Sequence, residues 1–246
     1  MPGAICAREL VIVAFGDSTT APRDEDGVVV YETLLAQALA AKRIPVKVIN
    51  AGKPSNTTSD ARARFEKDVF VHNPDLVIIQ FGINDAAVDV WKNPPATQPR
   101  VSRSQYEANL RYMVKTLTER GAHVVLMTPN ACRWTETTRK YYAKPPYRAN
   151  DPDGFNIVLS DYAGIVRRVA RQEGVPVVDV FAAFQAYGKV AGQSVDGLLV
   201  DGMHPNSKGH KLIANLLLSS KAIDNEPHDE PSAISESSRS QTAPAN

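Results

Sequence analysis

Five short apolar runs, each separated from the next by a stretch with helical periodicity, predict an α/β protein built on one parallel sheet covered on both faces. Two observations carry this. The runs are rich in β-branched residues, as strands buried on both faces are, and the intervening segments repeat apolar residues at i, i+3, i+4 and i+7. Strand–helix alternation of this kind closes into a parallel sheet through right-handed crossovers. A third observation bounds the size. The 246 residues, 43% hydrophobic and 22% charged, contain no internal repeat and no linker that would split the body in two.

The predicted strands cover residues 10–15, 46–49, 76–81, 123–127 and 175–180, with Pro176 near the start of the last, where a strand tolerates it. The first helix is written by Tyr31, Leu34, Leu35, Ala38 and Leu39, a stripe that faces a core. A weaker helix over 59–70 offers only Phe65 and Val69. Tyr106, Leu110, Met113, Val114 and Leu117 write the third, and Val158, Leu159, Tyr162, Ile165, Val166 and Val169 the fourth. Leu212, Ile213, Leu216 and Leu217 form the last, after Asn206 or Ser207 as cap. Two connections, 86–103 and 130–154, are long and proline-bearing, and both leave carboxyl ends of strands, where working loops of such sheets lie. The body is predicted to occupy 1–221, and 222–246 reads as a disordered acidic tail rich in Ser and Pro.

Charge and targeting narrow the partners. Lys plus Arg number 28 and Asp plus Glu 27, a net charge of +1, without the basic excess of a nucleic-acid or membrane-surface binder. The tail holds Arg239 against Asp224, Glu226, Asp229, Glu230 and Glu236, so residues 1–221 carry +5, a balance compatible with an acidic polysaccharide. Cys6 and Cys132 make neither a disulfide framework nor a metal-ligand spacing. The early apolar run is too short for a signal-peptide core, so the chain is expected in the cytoplasm if Met1 is native and outside it if a leader was removed.

Four segments beside the predicted strands carry chemistry. Gly16-Asp17-Ser18-Thr19 follows the first strand, where Gly16 permits a tight turn that holds Ser18 at the sheet edge. By itself this is equally a helix cap, and neither phosphate-loop pattern is present. Asp201-Gly202-Met203-His204 sets a carboxylate three residues before an imidazole, a spacing that orients a general base. A turn with an exposed histidine, or a metal site with His210, remains open for that segment alone. Asn50-Ala51-Gly52 and Gly82-Ile83-Asn84-Asp85 offer a backbone N–H and a side-chain amide of the kind that stabilise an oxyanion, though each is also an acceptable turn.

Taken in order, these segments resemble the four blocks of the SGNH hydrolases, also called the GDSL esterase family. Across 11–218, Ser18 matches the family's nucleophile, Gly52 its backbone donor, Asn84 its amide donor, and Asp201 with His204 its acid and base. Thr19 departs from the leucine of the GDSL name and is similar to the rhamnogalacturonan-acetylesterase-like branch, which deacetylates carbohydrates. The resemblance implies a flavodoxin-like three-layer α/β/α fold with five parallel strands. It also implies no metal or organic cofactor, and an oxyanion hole formed by Ser18, Gly52 and Asn84. The expected substrate is a short-chain, acetyl ester of a carbohydrate. Trp91, Trp134 and Arg133, on the two long loops, are expected to contact it. A lysophospholipase- or thioesterase-like acyl hydrolase and a non-catalytic carbohydrate-binding protein stand as alternatives.

Overall fold

The computed structural model describes residues 8–23 and 27–220. Strands β1 (Leu10–Gly16), β2 (Val46–Gly52), β3 (Leu76–Gln80), β4 (His123–Met127) and β5 (Val177–Val178) form one sheet in the order β2-β1-β3-β4-β5. Every pairing is parallel. This is the flavodoxin-like order, whose direction reverses between β1 and β3. Burial explains why these runs are strands: all five residues of β3 and Ile12 to Gly16 of β1 are shielded on both faces.

The helices are α1 (Tyr31–Ala41), α2 (Thr58–Asp68), α3 (Ile83–Ala86), α4 (Arg103–Glu119), α5 (Glu136–Tyr142), α6 (Leu159–Glu173), α7 (Val180–Tyr187) and α8 (Ser207–Ser219). Helices α2, α4 and α6 pack as a row and α1 packs on α8. Right-handed crossovers set these two groups on opposite faces of the sheet. Between β3 and the row lie buried Tyr106 and Tyr162, whose rings are 4.9 Å apart. The Tyr106 hydroxyl donates to Phe81 O at 2.8 Å, so the core is tied to the end of β3, where the chain turns into the site.

The structure departs from the sequence expectation in four places. The predicted strand at 175–180 is only two residues long, because Asp179 stops it. Its carboxylate accepts from Ala182 N at 3.1 Å and caps α7, while Arg167 holds it at 2.7 Å. Helix α7 is therefore new, made from residues that read as a strand and the loop beyond it. Helix α5 lies inside the connection predicted as a loop, started by a capping box between Thr135 and Thr138. The weak helix starts at Thr58 behind a Thr57–Asp60 capping box and ends at Asp68, leaving Phe70–His72 as a 3₁₀ turn. The predicted tail at 222–246 and Cys6 lie outside the described residues.

Candidate active site

The loop after β1 is built around Asp17. Its backbone carbonyl accepts from Thr20 N and Ala21 N at 3.2 and 3.0 Å, closing a tight turn. Its buried carboxylate accepts from the Thr19 N–H at 2.9 Å and the Thr19 hydroxyl at 2.8 Å. Burial pushes the Asp17 carboxyl up, against the pull of the Thr19 hydrogen bonds and of His204 and Arg64. The threonine that departs from the family name thus supplies a donor that a leucine lacks. Ser18, between these two residues, is half-buried with its hydroxyl turned toward the carboxyl-terminal edge of the sheet, where it meets His204.

His204 reaches that hydroxyl from the other end of the chain. Its Nε2 lies 2.9 Å from Ser18 Oγ, and its Nδ1 lies 2.7 Å from Asp201 Oδ2. The other Asp201 oxygen accepts from the backbone N–H groups of Met203 and His204 at 3.0 and 2.9 Å. Burial opposes the charged form of Asp201, but the His204 ring and these N–H groups overcome it and hold the carboxyl far below its ordinary value. Neighbouring backbone locks the loop: Arg133 N donates to Gly202 O at 2.7 Å, and Asn130 Nδ2 to Met203 O at 2.8 Å. Among the described residues His210 joins no cluster that could hold a metal. Its Nδ1 accepts from Tyr31 N at 3.2 Å in a fully buried position, and burial lowers its pKa to about 4.

The third contribution comes from the end of β3. Gly82 has φ 140°, and a Cβ there would stand 3.0 Å from both Pro129 Cγ and Tyr106 Oη, so only glycine makes this turn. Asn84 follows on α3. One amide N–H donates to Asn56 O at 3.1 Å, while its Oδ1 accepts from Arg100 Nη1 at 3.3 Å. These two contacts determine which way the amide faces and leave its second N–H for the cleft it lines. Arg100 is itself held by buried Asp89, through Nε and Nη2 at 3.1 and 2.8 Å.

Gly52 stands apart from this arrangement. Its N–H donates to Asn50 Oδ1 at 2.9 Å, and is therefore engaged rather than free for an oxyanion. Close packing explains the glycine, since a Cβ would meet Ala21 N at 2.3 Å. The Asn50 amide completes the bridge by donating to Thr20 O at 2.7 Å, so Asn50 and Gly52 together clamp the Ser18 loop.

Ser18, His204, Asn84 and Arg100 share one cleft of about 420 Å³ with an apolar wall that includes Tyr142 and Phe155. The cleft lies beyond the carboxyl ends of β1 and β3, at the reversal of strand order, where ligands of such sheets bind. None of the three loop residues expected to contact substrate lines it. Trp134 is buried, stacked on Phe155 at 4.8 Å, with its Nε1 donating to Asp151 O at 3.0 Å. The Arg133 guanidinium is paired with Asp153. Both brace the second long connection, because a long loop needs aromatic and ionic anchors of its own. Trp91 is exposed at 46% and stands outside the cleft lining.

Sequence reasoning missed the residues that hold this frame. Buried Arg64 donates to Gly16 O, Ala51 O and Asn56 Oδ1 at 2.9, 2.8 and 2.7 Å, joining the ends of β1 and β2 to Asn56, whose backbone carbonyl holds Asn84. Burial lowers its pKa, although Asp68 stabilises the cation. No motif marks Arg64, Arg100 or Asn130; proximity to a helix face or a proline-rich loop was the only signal.

The site and the sheet order together define a class of acyl-ester hydrolase, and comparison with known proteins agrees. Residues 14–212 match the GDSL-like lipase/acylhydrolase family, to which the chain belongs. It is similar to an acetylxylan esterase of Geobacillus stearothermophilus, 30% identical over 195 residues that span 78% of this chain and 79% of that one. An isoamyl acetate-hydrolyzing esterase 1 homolog of Rattus norvegicus is 28% identical over 82% of this chain and 77% of its own. Among solved structures, the acetylxylan esterase from Geobacillus stearothermophilus superposes with a TM-score of 0.68 at 26% identity, covering 85% of this chain and 92% of that one. Variants of that esterase described as catalytic mutants replace a serine, a histidine and an aspartate.

Proposed function

We propose that the protein is a serine esterase that removes acetyl groups from O-acetylated carbohydrate through an acyl-enzyme on Ser18. The observation that supports this most directly is the hydrogen-bond chain from Ser18 Oγ through His204 to Asp201, at 2.9 and 2.7 Å. Ser18 Oγ attacks the ester carbonyl carbon while His204 Nε2 takes its proton. The negative charge on the carbonyl oxygen falls to the Ser18 N–H and the second N–H of Asn84, and the ionised Asp201 stabilises the imidazolium. The carbonyl then reforms, the bond to the alcohol oxygen breaks, and His204 returns the proton to that oxygen. Water adds to the acetyl group in the same way, its proton passing by His204 to Ser18 Oγ as acetate leaves.

Two considerations support the substrate class. The relatives include acetylxylan esterases and isoamyl acetate-hydrolyzing esterases, whose named substrates differ in the alcohol but share the acetyl group. The +5 balance of residues 1–221 suits a polysaccharide that bears acidic sugars.

The test is acetate release from a panel of acetylated oligo- and polysaccharides, beside nitrophenyl esters of increasing acyl length, with Ser18→Ala as control. Acetyl esters are expected to be hydrolysed fastest and the variant to lose activity by several orders of magnitude. A folded, fully active Ser18→Ala sinks the mechanism, and preference for octanoyl over acetyl esters sinks the substrate class.

A further inference from the structure

The two long connections are anchored by aromatic residues, and they carry two more aromatics than the anchoring uses. Trp134, Tyr142 and Tyr147 of the second connection pack with Phe155 just beyond it, with ring centroids between 4.8 and 6.4 Å apart. The first is fastened to this cluster, since the Tyr147 hydroxyl accepts from Val88 N at 2.9 Å. It is closed on itself by Asp89, which binds Arg100 and whose carbonyl accepts from Ala96 N at 3.2 Å. None of these contacts involves Trp91 or Tyr141.

Yet Trp91 and Tyr141 are the large exposed aromatics of these connections, at 46% and 43%, and they meet across the two. Their rings stand edge to face, with centroids 6.3 Å apart at 77°. Lys92 Nζ lies 5.6 Å from the Trp91 ring and Lys140 Nζ 5.8 Å from the Tyr141 ring. The pair does not line the cleft itself but is linked to its wall through neighbouring residues. Tyr142, next to Tyr141, is part of the cleft wall. Lys92, next to Trp91, bonds Asp89 at 2.7 Å, and Asp89 holds Arg100 in the same wall.

We propose that Trp91 and Tyr141 form a distal subsite that holds the sugar chain of a polymeric substrate while one of its acetyl groups occupies the Ser18 cleft. This rests on the reading of that cleft as a site for acetylated carbohydrate. The chemistry favours sugar over lipid. An indole face presents apolar area to the axial C–H groups of a pyranose, while the flanking ammonium groups keep the surround polar and meet hydroxyls or uronate carboxylates. A lipid would need a broad continuous apolar patch. Two rings at right angles, edged by lysines, offer a narrow ledge one or two sugars wide instead.

The consequence is a split by substrate length. Trp91→Ala, Tyr141→Ala and the double variant, each checked for an unchanged melting temperature, are assayed on nitrophenyl acetate, an acetylated monosaccharide and a soluble acetylated xylan. The two small esters are expected to be turned over within about twofold of the parent. The polymer is expected to lose about tenfold in kcat/KM in the double variant, mainly through KM, with Trp91→Phe restoring most of it. Equal loss on nitrophenyl acetate, or no loss on the polymer, overturns the subsite. Binding is read separately by gel retardation of inactive Ser18→Ala in xylan-containing gels. Retardation that disappears when Trp91→Ala and Tyr141→Ala are added is expected, and unretarded Ser18→Ala overturns the subsite whatever the esterase assays give. Failure of the catalytic reading is distinguishable, because it appears as nitrophenyl acetate hydrolysis that survives Ser18→Ala.

Discussion

Two aspartates stand behind residues of the cleft wall, and their environments drive them apart. Asp201 sits beside His204, the proposed base, and Asp85 immediately after Asn84, the proposed amide donor. Asp201 has a side chain 43% exposed and takes donors on both oxygens. Asp85 is fully buried and uses one oxygen only, accepting from Thr58 N and Thr58 Oγ1 at 2.8 and 2.5 Å. Its second oxygen has no partner among the described residues. Burial, with the nearby Asp17 adding, outweighs the Thr58 hydrogen bonds and pushes Asp85 up to about 7. The same carboxyl is therefore a standing charge beside His204 and a near-neutral brace behind Asn84. The number of donors set against the loss of water decides which.

The sharpest way to break this contrast is to remove the charge that the site is built to keep. Asp201→Asn is expected to lower kcat roughly 1000- to 10,000-fold by turning the imidazole to the wrong tautomer. An acetate-release assay with a melting curve reads this, and a loss of less than tenfold in a folded variant contradicts the role of Asp201. Next, Asn84→Ala is expected to lower kcat about 100- to 1000-fold with little change in KM. Arg100→Ala should cost about tenfold in the parent, because the amide loses the contact that turns it, and almost nothing more once Asn84 is alanine. Additive losses in that double-mutant cycle would assign Arg100 to something other than Asn84.

The smallest effect on rate is expected at the other carboxyl. Asp85→Asn keeps an acceptor for Thr58 and should leave kcat within a few-fold. Its signature is in stability. Folding raises the Asp85 pKa from 3.8 to about 7, so the folded protein holds a proton that the unfolded chain releases. That contribution is complete below the unfolded value and is lost as pH rises through about 7. The melting temperature of Asp85→Asn minus that of the parent should therefore grow between pH 4.5 and 7.5, on the order of the window these pKa values set. A constant or shrinking difference would mean that Asp85 is ionised throughout.

Legibility in the sequence followed the range of each interaction. Three of the five predicted strands, β1, β3 and β4, stand within one residue of their expected bounds, because largely buried β-branched runs announce themselves locally. The less buried edge strand β2 runs on past Ile49 to Gly52. The fifth was cut short by Asp179, whose capping of α7 and pairing with Arg167 are not visible in a run of valines. Asn84, Ser18 and His204 were legible because their motifs set chemical type at fixed spacing. Arg64 and Arg100 were not, since a cation that serves backbone carbonyls or an amide side chain leaves no pattern of its own. Trp134 and Arg133 looked like substrate contacts for a related reason: composition counts aromatics and charges on a loop without saying which side faces the body.

The sequence by itself determined the alternation of strands and helices and the order of the four blocks, along with the chemical groups that those blocks bring. Periodicity and motif are properties of neighbouring residues, and they need no knowledge of the fold. Only the tertiary structure decided that Ser18 and His204, 186 residues apart, stand 2.9 Å from each other. It also decided that the Gly52 N–H is taken by Asn50 while Asn84 is turned by Arg100, and that Asp85 and Asp201 differ in charge. Each of these depends on which groups burial strips of water and which partners replace it, and that is set by packing across the sheet rather than along the chain.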